Sequence, residues 1–253
     1  MLIDTHCHLN DPFFEKSVPD VLTRARAAGV SGFIVLAYDH ASLSRTAQLA
    51  SSYPGVLFPA FGIHPWHVDE AVRDEEILSL IRKNKTVAIG EIGLDFSPEC
   101  PPQEVQVRSL VRQLNWAQEF ELPVAIHCRK AYDRLYEILL DFRGKLRGVI
   151  HSFSGNREMM LKLIDLGFYI SFSGSVTRAT ARKYHKNAEA VPLGRMLLET
   201  DAPSIATETT VAAEVEPRHI VEVAQQIARL RGISFEEVCD RTTENARRLF
   251  DLS

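Results

Sequence analysis

Short β-branched runs recur along the chain about every 30 residues, each followed by an amphipathic stretch, and this alternation restricts the fold more than any other feature. The runs are Leu2–His8, Gly32–Tyr38, Val56–His64, Thr86–Glu91, Val124–Cys128, Gly148–Ser152, Phe168–Phe172 and Met196–Asp201. Helical spacing fills the intervals, with Val21, Leu22, Ala25 and Ala28 in the first and Ile77, Leu78 and Ile81 in the third. Pro19-Asp20 and Pro101-Pro102 stand at helix starts, and Gly29, Gly144 and Gly167 where helices should stop. Strict alternation of strand and helix requires parallel pairing through right-handed crossovers. Eight such units in 253 residues match a closed (β/α)8 barrel of about 250 residues. An open doubly wound sheet is the alternative, but the strand count and the lack of a Gly-rich phosphate fingerprint weigh against it. A polar loop, Ser204–Glu216, and a helical tail, Pro217–Leu249, follow the eighth run. The expectation is a single α/β domain over residues 1–253, a TIM barrel.

Charge and cysteine usage narrow the functional classes. The 29 Lys+Arg stand against 33 Asp+Glu, a formal net charge of −4. That balance removes the bulk electrostatic case for a nucleic-acid binder, so local groups or metal ions would have to hold any anionic substrate. No run approaches the roughly 18 apolar residues of a membrane span. The chain opens MLIDTHCH, without the basic stretch and apolar core of a signal peptide. Cysteines at 7, 100, 128 and 239 form no framework, and reduced thiols in a cytoplasm are the expectation. No obligate protein partner is indicated, and the oligomeric state is open.

Potential metal ligands fall at the carboxyl ends of the runs. His6 and His8 close the first, Glu91 the fourth, His127 the fifth, His151 the sixth and Asp201 the eighth. In a barrel those ends share one face, where barrel active sites lie. Side chains alternate along a strand, so the two imidazoles of His6-x-His8 point the same way. A histidine-rich set with carboxylates suits Zn, Mn or Fe-type ions better than an all-oxygen calcium site. The set is too large for one catalytic ion with an open position, so two divalent ions are expected. Glu91, with two oxygens, would bridge them. His6, His8 and Asp201 would hold one, and His127 and His151 the other. Asp201 could also take the proton from an attacking water.

These residues lie in motifs that resemble the TatD family of metal-dependent hydrolases. The motifs are Ile3-Asp4-Thr5-His6-Cys7-His8-Leu9, Gly62-Ile63-His64-Pro65, Gly90-Glu91-Ile92-Gly93-Leu94-Asp95, Ile126-His127-Cys128-Arg129-Lys130, Ile150-His151-Ser152-Phe153-Ser154-Gly155 and Leu198-Glu199-Thr200-Asp201-Ala202-Pro203, with Thr243-Glu244-Asn245-Ala246 near the end. The resemblance implies a barrel of the metal-dependent hydrolase type and a dinuclear centre. It also implies deoxyribonuclease activity of the 3'-5' exonuclease kind, and it widens the metal choice to Mg, Mn or Zn. His64 would then serve the substrate or support the ligands. Alternation puts Arg129 on the His127 side, where a guanidinium could grip a phosphate. Asp4 and Glu199, each two residues before a ligand, are expected to orient imidazoles or a buried water, with Asp95 in the same supporting set. Cys7 and Cys128 should point outward, under the helices. Trp66 and His67 could line the pocket mouth, Trp66 as a stacking surface for a base.

One stretch departs from the family pattern. The loop Ser204–Glu216 carries Glu208, Glu214 and Glu216 and no Lys or Arg, a sign that would repel a long polyanion. A compensating cluster, Arg178, Arg182, Lys183 and Lys186, follows the seventh run, and a spacing of four places Arg178, Arg182 and Lys186 on one helical face. The leading substrate is DNA. A small ester, amide or phosphomonoester is the alternative, and a metal-bearing interaction protein within a larger assembly is the reading from another class.

Overall fold

The computed structural model describes residues 1–15, 17–68 and 73–252. Its strands are β1 (Leu2–Cys7), β2 (Val30–Leu36), β3 (Leu57–Phe61), β4 (Ala88–Asp95), β5 (Val124–Arg129), β6 (Gly148–Ile150), β7 (Tyr169–Phe172) and β8 (Met196–Leu198). They pair in chain order in one parallel eight-stranded sheet. Between successive strands run α1 (Val18–Ala27), α2 (His40–Ser52), α3 (Asp74–Lys83), α4 (Gln103–Glu119), α5 (Tyr132–Leu140), α6 (Arg157–Asp165) and α7 (Arg182–Ala190). The tail forms α8 (Ile220–Arg231) and α9 (Phe235–Phe250), separated at Gly232, whose left-handed φ of 64° ends α8. This is the (β/α)8 barrel that the alternation predicts.

The seam between β1 and β8 closes through a few specific bonds. Thr5 Oγ1 donates to the Leu198 carbonyl at 2.9 Å, the Asp201 amide to the His6 carbonyl at 2.9 Å, and the His8 amide to the Ala202 carbonyl at 2.8 Å. The sheet therefore closes with the segment that carries Asp201 laid against the segment that carries both N-terminal histidines. Inside the barrel a cluster of Ile3, Ile34, Leu36, Ala60, Ala88, Ala125, Val149, Tyr169 and Leu197 draws on every strand. Alanines beside larger residues fill the narrow interior. Ala246, Leu249 and Phe250 of α9 join this cluster. Asn245 of the same helix donates to the Leu193 and Met196 carbonyls, and Thr243 to the Met1 carbonyl. The Thr243–Ala246 motif is thus a clamp on the starts of β1 and β8.

Several strand limits differ from the sequence reading. β2 begins at Val30 and ends at Leu36, β3 stops at Phe61, and β4 runs on to Asp95. Glu91 accordingly lies inside β4 rather than at its end, while His64 and Asp201 each fall beyond the end of their strand. Arg178 precedes α7 with an extended backbone and donates to the Ala206 carbonyl, so it does not share a helical face with Arg182 and Lys186. Among the described residues no helix is long and apolar enough to cross a membrane.

Gly93 pairs with His127 in the ladder between β4 and β5. Its φ is 150°, and a Cβ there would overlap the His127 carbonyl oxygen, so no side chain fits without parting the two strands. Gly93→Ala is expected to cost about 3 kcal/mol or more. That corresponds to a fall in melting temperature of about 6–12 °C for a chain of this size. Gly144, also at positive φ but with open space around its would-be Cβ, should tolerate Ala at about 1–2 kcal/mol. Thermal melts of the two variants check this contrast.

Candidate metal centre

Two irregular strands aim the central side chains. Along β1, Asp4 pairs with Phe33 and Cys7 with Val35, so three steps of β1 oppose two of β2. Along β4, Ile89 pairs with Val124 and Ile92 with Ile126, the same three against two. Each extra residue reverses the inward–outward alternation beyond it, as bulges near active sites do. The β1 bulge lets Ile3 pack inside the barrel and His6 and His8 still face its mouth, while Cys7 joins the outer core. The β4 bulge contains Glu91 and turns it inward above Ala88.

Glu91 is buried and divides its two oxygens between two groups of imidazoles. Oε2 lies 3.3 Å from His6 Nε2 and 3.4 Å from His8 Nε2. Oε1 lies 3.0 Å from His151 Nε2, 3.3 Å from His127 Nδ1 and 3.5 Å from His64 Nε2. Asp201 Oδ1 completes the first group at 3.4 Å from His8 and 3.8 Å from His6. The six residues picked out at the strand ends therefore converge, and His64 meets them.

Hydrogen bonds on the far side of four of the rings separate ligands from donors, while His6 Nδ1 is buried without a hydrogen-bond partner among the described residues. His8 Nδ1 lies 3.1 Å from the Leu36 carbonyl, His151 Nδ1 3.3 Å from Glu199 Oε1, and His127 Nε2 3.2 Å from Asp95 Oδ2. Each can donate its proton outward and present a lone pair to the centre, the usual arrangement of metal-binding histidines. His64 is reversed. Its Nδ1 accepts from the Trp66 amide at 3.2 Å, which places the proton of the neutral ring on Nε2, facing Glu91 and the cavity. His64 thus offers an N–H rather than a lone pair, and in the same contact it caps the short turn Pro65–His67.

Electrostatics follow from burial against charge. Burial pulls His8 down, yet its hydrogen bonds to Asp201 and Glu91, and their charge, push it up to about 10. His151 rises well above the usual imidazole range, because Glu91 and Glu199 outweigh its desolvation. His127 also rises: burial opposes the charge, but the bonds to Asp95 and Glu91 prevail. His6 falls through burial and the neighbouring His151, and His64 falls well below the ordinary range through burial against its cationic neighbours. Glu91 is held well below the carboxylate range, since the surrounding imidazoles overcome a large desolvation penalty. Protons on imidazoles thus neutralise a carboxylate that water cannot reach.

The donor set fits divalent ions. Bonds of about 2.0–2.2 Å to nitrogen and oxygen place neighbouring ligand atoms about 3.0–3.5 Å apart. The nitrogen–oxygen spacings around Glu91 run from 3.0 to 3.5 Å, and two nitrogen pairs, His6–His8 and His127–His151, each stand at 3.2 Å. His6, His8 and Asp201 form a compact group able to hold an ion, as do His64, Glu91 and His127. The tautomer argument favours His151 over His64 as partner to His127 in the second group.

The remaining predicted residues divide. Glu199 accepts from His151, from the Ser152 amide at 2.7 Å and from Ser171 Oγ. Asp95 accepts from His127, from the Ser97 amide and from the Trp66 indole at 2.8 Å. Asp4 touches no imidazole side chain. It accepts from the Thr200 amide and hydroxyl and from the His6 amide, because the bulge after it removes it from the ligand face. Arg129 is exposed and is not among the residues lining the central cavity, although it ends the same strand as His127. Cys7 and Cys128 are free, buried thiols in the outer core. The cavity, about 270 Å³, is lined also by Trp66, His67, Tyr38, Asp11 and Ser204. Tyr38 was not singled out in the sequence, yet its ring meets the His8 imidazole at 5.1 Å and its hydroxyl reaches Asp11. Its position as the last residue of the second run, on the parity of Ile34 and Leu36, was the available signal.

A (β/α)8 barrel with a histidine–carboxylate cluster at the carboxyl ends of its strands has the architecture of the metal-dependent hydrolases. Residues 3–251 match the family model described as TatD related DNase. The chain is 34% identical over 258 residues to the uncharacterized metal-dependent hydrolase YabD of Bacillus subtilis, covering 100% of both. It is 33% identical over 260 residues to the 3'-5' ssDNA/RNA exonuclease TatD of Escherichia fergusonii, again covering 100% of both. The crystal structure of YJJV, a TatD homolog from Escherichia coli, superposes with a TM-score of 0.92 at 31% identity, covering 100% of this chain and 98% of that one. The chain belongs to the TatD family of metal-dependent hydrolases.

The opposite displacements of two neighbouring imidazoles can be measured directly. In metal-free protein, ring ¹H–¹⁵N spectra should show His8 still protonated at pH 8 and His64 neutral at pH 5. Loading with zinc should then expel the His8 proton, so that apparent metal affinity rises with pH toward about 10. A His64 ring that titrates in the ordinary range would remove the tautomer assignment.

Proposed function

We propose that this protein is a phosphodiesterase that removes nucleotides from an end of single-stranded DNA, using two divalent ions bridged by Glu91. The division of the Glu91 oxygens between two imidazole groups carries the reading. His6, His8 and Asp201 would hold one ion, and His127 and His151 the other, with Mg, Mn or Zn all compatible with the donors. When bound, such a pair polarises the phosphoryl group and makes water acidic enough to attack near neutral pH. Asp201 stands at the cavity wall, with Oδ1 toward His8. It accepts the proton of the attacking water. His64 directs its Nε2–H into the same space and donates to a phosphoryl oxygen or the leaving oxygen. Glu199 and Asp95 keep His151 and His127 in the tautomers that ligation requires.

The cavity lies near the lower end of the range for ligand pockets, about 300–1,000 Å³. It suits one terminal nucleotide better than an internal stretch of chain. Trp66, 48% exposed, is fixed by its indole bond to Asp95 and stands edge-on to His64 at 5.3 Å. It offers a rigid face on which a terminal base stacks. The acidic loop opposes a polyanion less than its composition suggests. Glu216 is paired with Arg24 at 2.6 Å and with Arg218 at 3.2 Å, and Glu208 accepts the Ala179 amide. The small cavity also accommodates a small phosphoester, which is the second reading.

End-labelled single-stranded DNA with Mg²⁺ or Mn²⁺ should shorten stepwise. Glu91→Ala and a chelator should each abolish this, and Asp201→Asn should lower kcat by about 10²–10⁴. Intact DNA beside turnover of a small chromogenic phosphoester, in demonstrably metal-loaded protein, would replace the nuclease reading with the second one. His64→Ala should lower kcat about 10²-fold or more while metal content, measured by elemental analysis, stays at the wild-type level. The corresponding change at His151 should lower the metal content itself.

A further inference from the structure

A groove of about 690 Å³ opens between α6 and α7, lined by Asn156, Arg157, Arg182, Lys183, Lys186 and Asn187. No ion pair engages Arg157, Arg182, Lys183 or Lys186 among the described residues. The one carboxylate on its wall, Glu189, lies about two turns further along α7. Three of these cations stand where a helix favours an anion. Arg157 is the first residue of α6, and Arg182 and Lys183 are the first two of α7. Helix N-termini carry partial positive charge, so these side chains add to a repulsion, which at α6 is offset in part by Glu158 and the Asn156 cap and at α7 by no acidic first-turn residue. Ala181, at the N-cap of α7, supplies no side-chain acceptor for that helix.

The groove is joined to the metal centre. Both helices follow their strands, β6 and β7, and therefore start at the barrel end that holds the cavity. Arg157 is six positions after His151, a distance of at most about 20 Å along the chain. The Asn187 side chain donates to the Gly155 carbonyl at 3.0 Å, which fixes α7 to the loop that follows His151.

We propose that this groove is the track for the sugar–phosphate backbone of a single-stranded nucleic acid whose terminal nucleotide occupies the cavity. The inference rests on the nuclease reading and extends it from the scissile bond to the strand beyond. Successive phosphates meet Arg157, Arg182 and Lys186 and draw on the N-termini of both helices. No base is read there, so binding along the groove is insensitive to sequence and sensitive to salt.

The test uses the triple variant Arg157→Ala, Arg182→Ala, Lys186→Ala, beside Arg157→Lys, Arg182→Lys. Anisotropy of a labelled oligothymidylate of about twelve nucleotides is followed against salt, in chelator so that nothing is cleaved. The alanine variant should bind about tenfold or more weakly, with the log–log salt slope reduced by about 2, at roughly 0.7 per phosphate contact. The lysine variant should bind like the wild type. Metal-loaded alanine variant should cleave a dinucleotide at the wild-type rate, since a dinucleotide ends before the groove. Unchanged affinity and slope in the alanine variant, with a wild type that degrades the oligonucleotide, overturn the track and leave the nuclease reading standing. A wild type that neither binds nor cleaves the oligonucleotide overturns both.

Discussion

The architecture turns on a carboxylate that water cannot reach. Glu91 is buried near the barrel axis, and an isolated charge there would cost several kcal/mol in lost hydration. Imidazoles on β1, β5, the end of β6 and the turn after β3 face its two oxygens within 3.5 Å. Without metal, protons on His8, His127 and His151 carry the compensating charge. The same donors would suit divalent cations in exchange for those protons. The site would therefore be organised in either state, with an ion replacing one form of neutralisation by another instead of creating a site.

That arrangement depends on irregularity in the strands. A regular β1 could not direct Ile3 into the barrel core and His6 toward the mouth, because they are three residues apart. The bulge in β1 resolves the conflict by supplying one extra residue, and the bulge in β4 does the same at Glu91 itself. The seam adds a second link between fold and site. Asp4 grips the amide and hydroxyl of Thr200, and the Asp201 amide bonds the His6 carbonyl. The contacts that close the barrel thus also set the distance from Asp201 to His6 and His8.

The barrel was legible because alternation is a property of the whole chain and survives local error. The convergence of His6, His8, Glu91, His127, His151 and Asp201 was legible because strand ends in a barrel share a face. What was hidden depends on one-residue registers. The sequence places Asp4 two steps from His6 and so on its side, but a bulge leaves no compositional mark and turns Asp4 to Thr200 instead. Arg129 shares the parity of His127 yet stands exposed, since it lies a step beyond the cavity rim. Arg178 has helical spacing to Arg182, but α7 starts only after it. The pairing of Glu216 with Arg24 joins residues too distant in sequence for any local pattern to reveal.

A net charge of −4 and a polyanionic substrate are compatible because electrostatic interactions are local. At physiological salt the Debye length is about 8 Å, so a strand at the barrel mouth responds to the groups beside it, not to the chain total. Those groups differ sharply across the rim. Over β8 the loop carboxylate of Glu216 is tied to two arginines, while Arg157, Arg182, Lys183 and Lys186 at the groove between α6 and α7 have no ion-pair partner among the described residues. On the proposed reading, a phosphate chain leaving the cavity would therefore meet a gradient directed across the barrel toward α6 and α7. The acidic remainder of the surface opposes adhesion of nucleic acid elsewhere. On the proposed reading, an acidic protein with an unpaired basic groove beside its candidate metal site would favour the approach of a polyanion that ends at the scissile bond.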